Sequence, residues 1–378
     1  MPEKELRTIS FASAKTALLI GREQRIITNY RRIKTKDKDG ERNMLEKKIV
    51  LLTDPTRKIE SASISRHDME GYTPLELQKI EEAIETFARC ELYTDPADFI
   101  ENISAYKRDL VFPMVWGRGG RNTKAILPAV CEAEQIDYIG ADAYTQALCY
   151  DKYLSKKYAE TFGFKTPQGF MLFKAQSDED IRRLLRYIKL PLIVKPNFGG
   201  GSCGISNSNL VDTYEDAFAL AKVLFGNGYN PLLAEEYVAG QEISILLLGN
   251  HNKVRYSGET QLILEGDTYF THRIWGFETK KLEFQKASYQ VCETLPTAEH
   301  SRAKELFLSL PKAEYLRVDG RFNENGFFVL ELSADCYLGP NGDFSTLFES
   351  NGKSHADLLR FLAENAILSQ SGGDSPIA

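Results

Sequence analysis

Apolar and polar positions along the chain follow two different repeats. Short apolar runs at Lys48–Leu52 (KIVLL), Cys90–Tyr93 and Leu110–Val115 predict strands. Between and after them, Leu75–Ala88 and Lys124–Glu134 carry apolar residues at helical spacing, and Tyr138–Gly140 predicts a further short strand. Strands alternating with helices imply a parallel sheet with crossovers. Ligands of such sheets bind at the C-terminal strand ends, where the turn Gly117–Gly120 falls.

A second stretch starts near Ala147. Asp151, Lys152, Lys156 and Lys157 lie on a helical segment ending at Gly163, and Thr166-Pro167 opens an extended one. Ser177–Ile188 reads as a helix with Ser177 as N-cap and Asp180 three residues on. Leu192–Val194 is a buried strand, Tyr214–Phe225 a helix, and Leu232–Val238 a strand carrying Glu235 and Glu236. Gly240-Gln241-Glu242 turns the chain into the strand Ile243–Leu248. The last stretch holds a strand at Val254–Gln261, a polar loop to about Leu282 and a helix at His300–Leu310. Two strands then follow, Tyr315–Phe322 and Gly326–Ser333, joined by the hairpin turn Asn323–Gly326. The period of two puts Arg317, Asp319 and Arg321 on one face and sends Glu331 and Ser333 the same way.

Two places carry chemistry. Lys195 follows the strand Leu192–Val194 and precedes a loop with Gly199, Gly200, Gly201 and Gly204. Glycines let backbone N–H groups close on an anion, and the lysine adds positive charge, so the loop reads as a phosphate site or as a surface turn. No Gly-Lys-Ser/Thr ends it, which excludes a P-loop. Asp319 and Glu331, on neighbouring strands, offer the hard oxygen ligands that suit Mg²⁺ (or Mn²⁺), or are exposed strand carboxylates.

The balance of 47 basic and 53 acidic residues gives a net charge of −6, which argues against nucleic acid as a partner. No apolar run approaches a membrane span, and the first residues are no signal peptide. The six cysteines are scattered without a CxxC, which fits reduced thiols in a cytoplasm. Residues 1–45, rich in lysine and arginine with a short strand at Ala17–Ile20, read as a solvated extension.

The order of these motifs resembles the ATP-grasp superfamily. It runs Asp151-Lys152; Ile193-Val194-Lys195-Pro196 with its glycine loop; Glu235-Glu236-Tyr237-Val238 and Glu242; then Arg317-Val318-Asp319 and Leu330-Glu331. Within that superfamily the likeness is to D-alanine–D-alanine ligases, over residues 46–370. The resemblance implies an α/β chain: an N-terminal parallel-sheet, Rossmann-like (pre-ATP-grasp) domain at 46–147, ATP-grasp subdomains at 148–240 and 241–370, and a tail at 371–378. It also implies a carboxylate–amine ligase that acts on amino acids or short peptides through an acylphosphate, as a homodimer. Lys152 and Lys195 would contact ATP phosphates, covered by Ser202 and the backbone of Gly200, Gly201 and Gly204. Glu235 would accept from the adenine amino group, Glu236 and Val238 would meet its edge, and Ile193, Tyr237 and Leu330 would sandwich it. Glu242 would hold the ribose. Asp319, Glu331 and Ser333 would hold the metal. Arg317, Ser202 and Arg273 are the implied catalytic side chains, although Lys280 and Lys281 compete with Arg273 for the phosphate.

The chain departs from that family at the second-substrate side. Glu331-Leu332-Ser333 stands where the ligases have Glu-x-Asn, with Asp335 as a possible helper. A longer segment, Cys336–Gly342, replaces a short Pro-Gly turn. Gly339, Ser345 and Thr346 border the implied substrate pocket, as do Glu60, Trp116, Gly117 and Arg121 from the N-terminal domain. Arg121 and Lys124 stand where acidic residues would suit a substrate ammonium, so the expected substrates are larger, acidic or peptidic, and D-alanine a poor one; the alternatives are D-alanyl-D-alanine synthesis itself and a nucleotide-binding protein without ligase turnover.

Overall fold

The computed structural model describes residues 44–54, 72–115, 120–202, 204–274, 276 and 286–371. The extension with its strand at Ala17–Ile20, Glu60, Trp116, Gly117, Lys280, Lys281 and the tail after Ser371 lie outside the described residues.

The first sheet has the strand order β2-β1-β3-β4, from β1 (Ile49–Thr53), β2 (Cys90–Tyr93), β3 (Leu110–Met114) and β4 (Asp137–Tyr138), all parallel. Every residue of β1 is buried, because helices cover both faces, as parallel sheets require. Ile49 and Leu51 pack on Leu77, Ile80 and Ile84 of the helix Pro74–Glu85, and Val50 and Leu52 pack on Phe99, Leu127 and Cys131. That helix starts on a capping box between Thr73 and Glu76.

The second sheet, β5-β8-β6-β7, is antiparallel: β5 (Gly169–Leu172), β6 (Leu192–Pro196), β7 (Leu210–Val211) and β8 (Leu232–Glu236). Leu192, Val194, Leu232 and Ala234 alternate inward against the helices Asp178–Leu185 and Tyr214–Gly226. The opposite phase therefore sends Ile193, Lys195 and Glu235 to the other face. Ser177 caps its helix by accepting from the Asp180 amide at 3.1 Å.

The third sheet runs β12-β10-β9-β13-β14, with β11 beside β9. Its strands are β9 (Gly240–Asn250), β10 (Lys253–Leu264), β11 (Tyr269–Phe270), β12 (Ala287–Cys292), β13 (Tyr315–Asn323) and β14 (Gly326–Ser333). Ile243, Ile245 and Leu247 of β9 join the core under the helix Thr297–Ser309. On the reverse face Glu242 and Ser244 line a cleft, while Leu246 and Leu248 continue into the core of the first sheet. One strand thus carries both the cleft floor and the packing beneath it.

The structure corrects several elements. The helical stretch around Lys152 is two helices, Ala143–Tyr150 and Lys152–Thr161, broken at Asp151. In the described part of the expected polar loop, β10 runs on to Leu264 and Tyr269–Phe270 form β11. The strand β12 and the helices Asp343–Ser350 and His355–Ser371 add to the expected elements. Among the described residues all five cysteines are free, and no helix is long and apolar enough to cross a membrane.

Strand β14 bulges where it pairs with β13: Asp319 faces Glu331, but Gly320 faces Val329, leaving Leu330 as the extra residue. Both Leu330 and Glu331 consequently line the cleft. Gly320 makes that close approach possible, since a Cβ there would sit 2.4 Å from the Phe327 ring and 2.6 Å from the Phe328 carbonyl oxygen. Gly320→Ala is expected to cost about 1–3 kcal/mol, as overpacking does. The check is the urea midpoint at unchanged m-value; a midpoint equal to wild type would show that ring and strand yield freely.

Candidate active site

One cleft lies between the second and third sheets. It is lined by Lys152, Ile193, Lys195, Ser202, Glu235, Glu236, Tyr237, Val238, Glu242, Arg317, Asp319, Leu330 and Glu331, all expected from the sequence. Ile205, Ser244, Leu262, Ile274, Tyr289, Arg321 and Asp343 line it as well.

At one end the cleft is cationic. Asp151 caps the helix Lys152–Thr161 by accepting from the Leu154 amide at 2.9 Å. The fully buried Asn197, just after β6, donates to Asp151 at 2.8 Å and accepts from the Tyr153 amide at 2.9 Å. Its carbonyl accepts from the Lys152 amide at 3.1 Å. This stitching brings Lys152 and Lys195, distant in sequence, to the same wall. In the following loop Gly199, Gly201 and Gly204 have φ of 128°, 58° and 70°, and Ser202 shares the left-handed region at 62°. A serine held there marks local strain of the kind found at functional sites.

Glu235, 1% exposed, sits between two buried lysines: Lys195 at 2.6 Å, and Lys156, which contacts its other oxygen. Burial, and next the charge of Lys152, lower the Lys195 pKa to about 8. Burial and the nearby Lys195 and Lys152 push Lys156 well below the ordinary lysine range. Lys152 pairs with Glu331 at 2.9 Å and donates to the Gly199 carbonyl.

The carboxylate end is equally networked. Asp319 accepts from Ser244 Oγ at 2.7 Å, Arg317 Nε at 2.7 Å and Ser333 Oγ at 3.2 Å. The other side of Arg317 reaches Asp343 at 2.8 Å, and Thr260 donates to that same buried carboxylate at 2.8 Å. Burial disfavours the Arg317 charge, but Asp319 and Asp343 outweigh it and hold the pKa well above the usual value. Ile193, Tyr237, Val238, Leu262 and Leu330 line an apolar slot in the same cleft, and Glu242, which also lines the cleft, pairs with Arg321 at 2.9 Å.

Other expected site residues fall elsewhere. Arg273 turns its guanidinium to Glu265 at 2.6 Å and does not line the cleft, whereas its neighbour Ile274 does. The Ser333 hydroxyl is given to Asp319. Gly200, Gly201 and Gly204 stay in the loop beside Ser202. Ser345 is buried and donates to the Gly339 carbonyl at 2.9 Å; Thr346 is half-buried on the same helix. Lys124 is no free cation: it is buried and pairs with Asp335 at 2.8 Å. Arg121 remains exposed, over the Phe198 ring at 5.6 Å. Three charged residues at the site escape the motif reading: Arg321 and Asp343 line the cleft, and Lys156 contacts Glu235. Lys156 was signalled by its i+4 spacing from Lys152 and Arg321 by its i+2 spacing from Asp319. Asp343 has no signal in the sequence.

Residues 160–364, more than half the chain, match the family described as D-ala D-ala ligase C-terminus. The chain belongs to that family. A D-alanine–D-alanine ligase from Thermoanaerobacter pseudethanolicus is 24% identical over 274 residues, covering 70% of this chain and 73% of the relative. The ligase from Xanthomonas axonopodis pv. citri is 34% identical over 146 residues, which cover 39% of this chain and 45% of the relative. Among solved structures, the D-alanine–D-alanine ligase from Bacillus anthracis complexed with ATP aligns with a TM-score of 0.63 at 18% identity, covering 86% of this chain and 98% of that one. A D-Ala:D-Ser ligase from Enterococcus faecalis aligns at 0.60 with 17% identity, covering 85% and 99%. The fold is ATP-grasp, and the family member described here is an enzyme of the ligase class.

Proposed function

We propose that this ligase uses ATP to join the carboxylate of one amino acid to the amine of another, with D-alanine and D-alanine the leading pair. The carrying observation is the cleft itself, in which apolar side chains, two lysines and paired strand carboxylates line one space. In this reading the slot takes adenine, Glu242 the ribose, and Lys152, Lys195 and the Ser202 loop the phosphates. The donor set fits Mg²⁺: Asp319 and Glu331 face each other in register, and Mg²⁺ is commonly held by one or two carboxylates with phosphate oxygens and water filling the rest. When bound there, the ion would neutralise phosphate charge.

A substrate carboxylate oxygen attacks the γ-phosphorus, ADP leaves, and an acylphosphate forms. The amine then attacks the acyl carbon, loses a proton and expels phosphate. The protein's share is alignment and charge. Arg317, braced by Asp319 and Asp343, supplies a fixed cation for the developing oxyanion.

A second reading, a larger or acidic substrate pair, is favoured by the exposed Arg121. It loses the support of Lys124, which Asp335 neutralises. The test is ADP release across D-alanine, acidic amino acids and dipeptides. D-alanine-dependent release is the expected result, and release indifferent to every carboxylate and amine would end the ligase reading. A higher kcat/KM for an acidic substrate, reversed by Arg121→Glu, would establish the second one.

A further inference from the structure

Arg321 is a buried cation at the edge of the cleft that the reaction described above does not employ. Its side chain is 4% exposed. It stands on β13 two residues beyond Asp319 and directly opposite Glu242 of β9, so it lies between the position read for the ribose and the position read for the metal. A guanidinium has five N–H donors. Nη2 donates to Glu242 at 2.9 Å and to the Arg273 carbonyl at 3.2 Å. Nη1 has only long contacts, to Tyr237 Oη and the Gly240 carbonyl at 3.4 Å and to the Phe270 carbonyl at 3.5 Å. Nε is buried and has no partner. The aromatic rings of Phe270 and Tyr237 flank the guanidinium at 4.9 and 5.7 Å.

A buried donor left empty is costly. Arg321 holds one oxygen of Glu242, which leaves the other oxygen outside that pair. Its Nε–H, buried and without a partner, is a donor still to be satisfied.

We propose that Arg321 is a nucleotide-binding residue that orients Glu242 toward the ribose hydroxyls and gives its Nε–H to an oxygen of the sugar–phosphate junction. This rests on the nucleotide reading of the cleft given above. Arg321 sets how strongly the enzyme prefers a ribonucleotide over its deoxy analogues. A lysine in its place keeps the charge but cannot serve both oxygens from one planar fork.

The experiment is calorimetric titration of the full chain with ATP, 2′-deoxy-ATP and 3′-deoxy-ATP, without added metal. Wild type is compared with Arg321→Met, Arg321→Lys, Glu242→Gln and the double variant Arg321→Met/Glu242→Gln. Loss of a charged hydrogen bond predicts ATP affinity about 10- to 100-fold weaker in Arg321→Met. Discrimination against the deoxy nucleotides is lost in both single methionine and glutamine variants, Arg321→Lys falls between, and the double variant is no worse than the poorer single one. Wild-type affinity and discrimination in a folded Arg321→Met would overturn the inference while leaving the nucleotide site standing. If Arg321→Met does not fold, the lysine variant decides: affinity and discrimination equal to wild type overturn the inference. A wild-type protein that binds no ATP overturns the reading beneath it as well.

Discussion

Glu331→Gln and Asp319→Asn are each expected to lower turnover by about a hundredfold or more, because each removes a hard anionic ligand from the proposed Mg²⁺ site. Their side effects differ, and the difference is diagnostic. Glu331 is the partner of Lys152 at 2.9 Å. Glu331→Gln therefore frees that lysine and makes the cleft more positive by one charge, so metal-free ATP should bind as well as in wild type or better. Asp319 accepts from Ser244, Arg317 and Ser333, and an amide must turn a donor toward at least one of them. Asp319→Asn also removes the negative charge that pairs with Arg317, and should therefore loosen Arg317 and lower the melting temperature. Magnesium titrations of turnover, with metal-free ATP binding alongside, separate the two variants. Wild-type magnesium dependence in both would remove the metal assignment.

Lys195→Ala should weaken ATP binding by about 10- to 100-fold and bring turnover close to background, since a charge-assisted contact to phosphate is lost from a buried wall. Glu235 keeps Lys156, so the variant should remain folded. A pH effect accompanies this. Burial and Lys152 bring the Lys195 pKa to about 8, so ATP affinity should fall as pH rises through that value and the ammonium discharges. Stability moves the other way. The folded pKa lies below the ordinary value of 10.5, the unfolded chain binds more protons between the two, and this group's contribution to stability rises with pH in that window. Affinity that stays flat across pH 8 in wild type would show that Lys195 does not meet the phosphates.

The parts legible in the sequence are those with strong periodicity. The alternation at Leu192–Lys195 and Leu232–Glu235 suffices to say which residues face the cleft, because one phase is apolar and covered by helices. Motif order does the rest for Lys152, Glu242, Arg317 and Asp319. What escapes has physical causes. Ala287–Cys292 mixes polar and apolar residues as a half-exposed edge strand and gives no clear signal. Asp151 ends one helix and caps the next within what reads as one helical stretch. The bulge at Leu330 breaks the period of two, so strict alternation would send Leu330 and Glu331 to opposite faces, while the structure puts both in the cleft. The pairing of Lys124 with Asp335 is a long-range contact that no local pattern encodes.

The central position of β9 has a consequence for how the enzyme can respond to ligands. From Ile245 to Asn250 the strand is buried without interruption, and it is hydrogen-bonded to β10 on one side and β13 on the other. Its amide protons should exchange with solvent only through global opening, with the slowest rates in the molecule, while the Gly199–Gly204 loop exchanges early. Occupying the cleft should therefore protect the loop directly, and should slow β9 only by as much as binding raises overall stability.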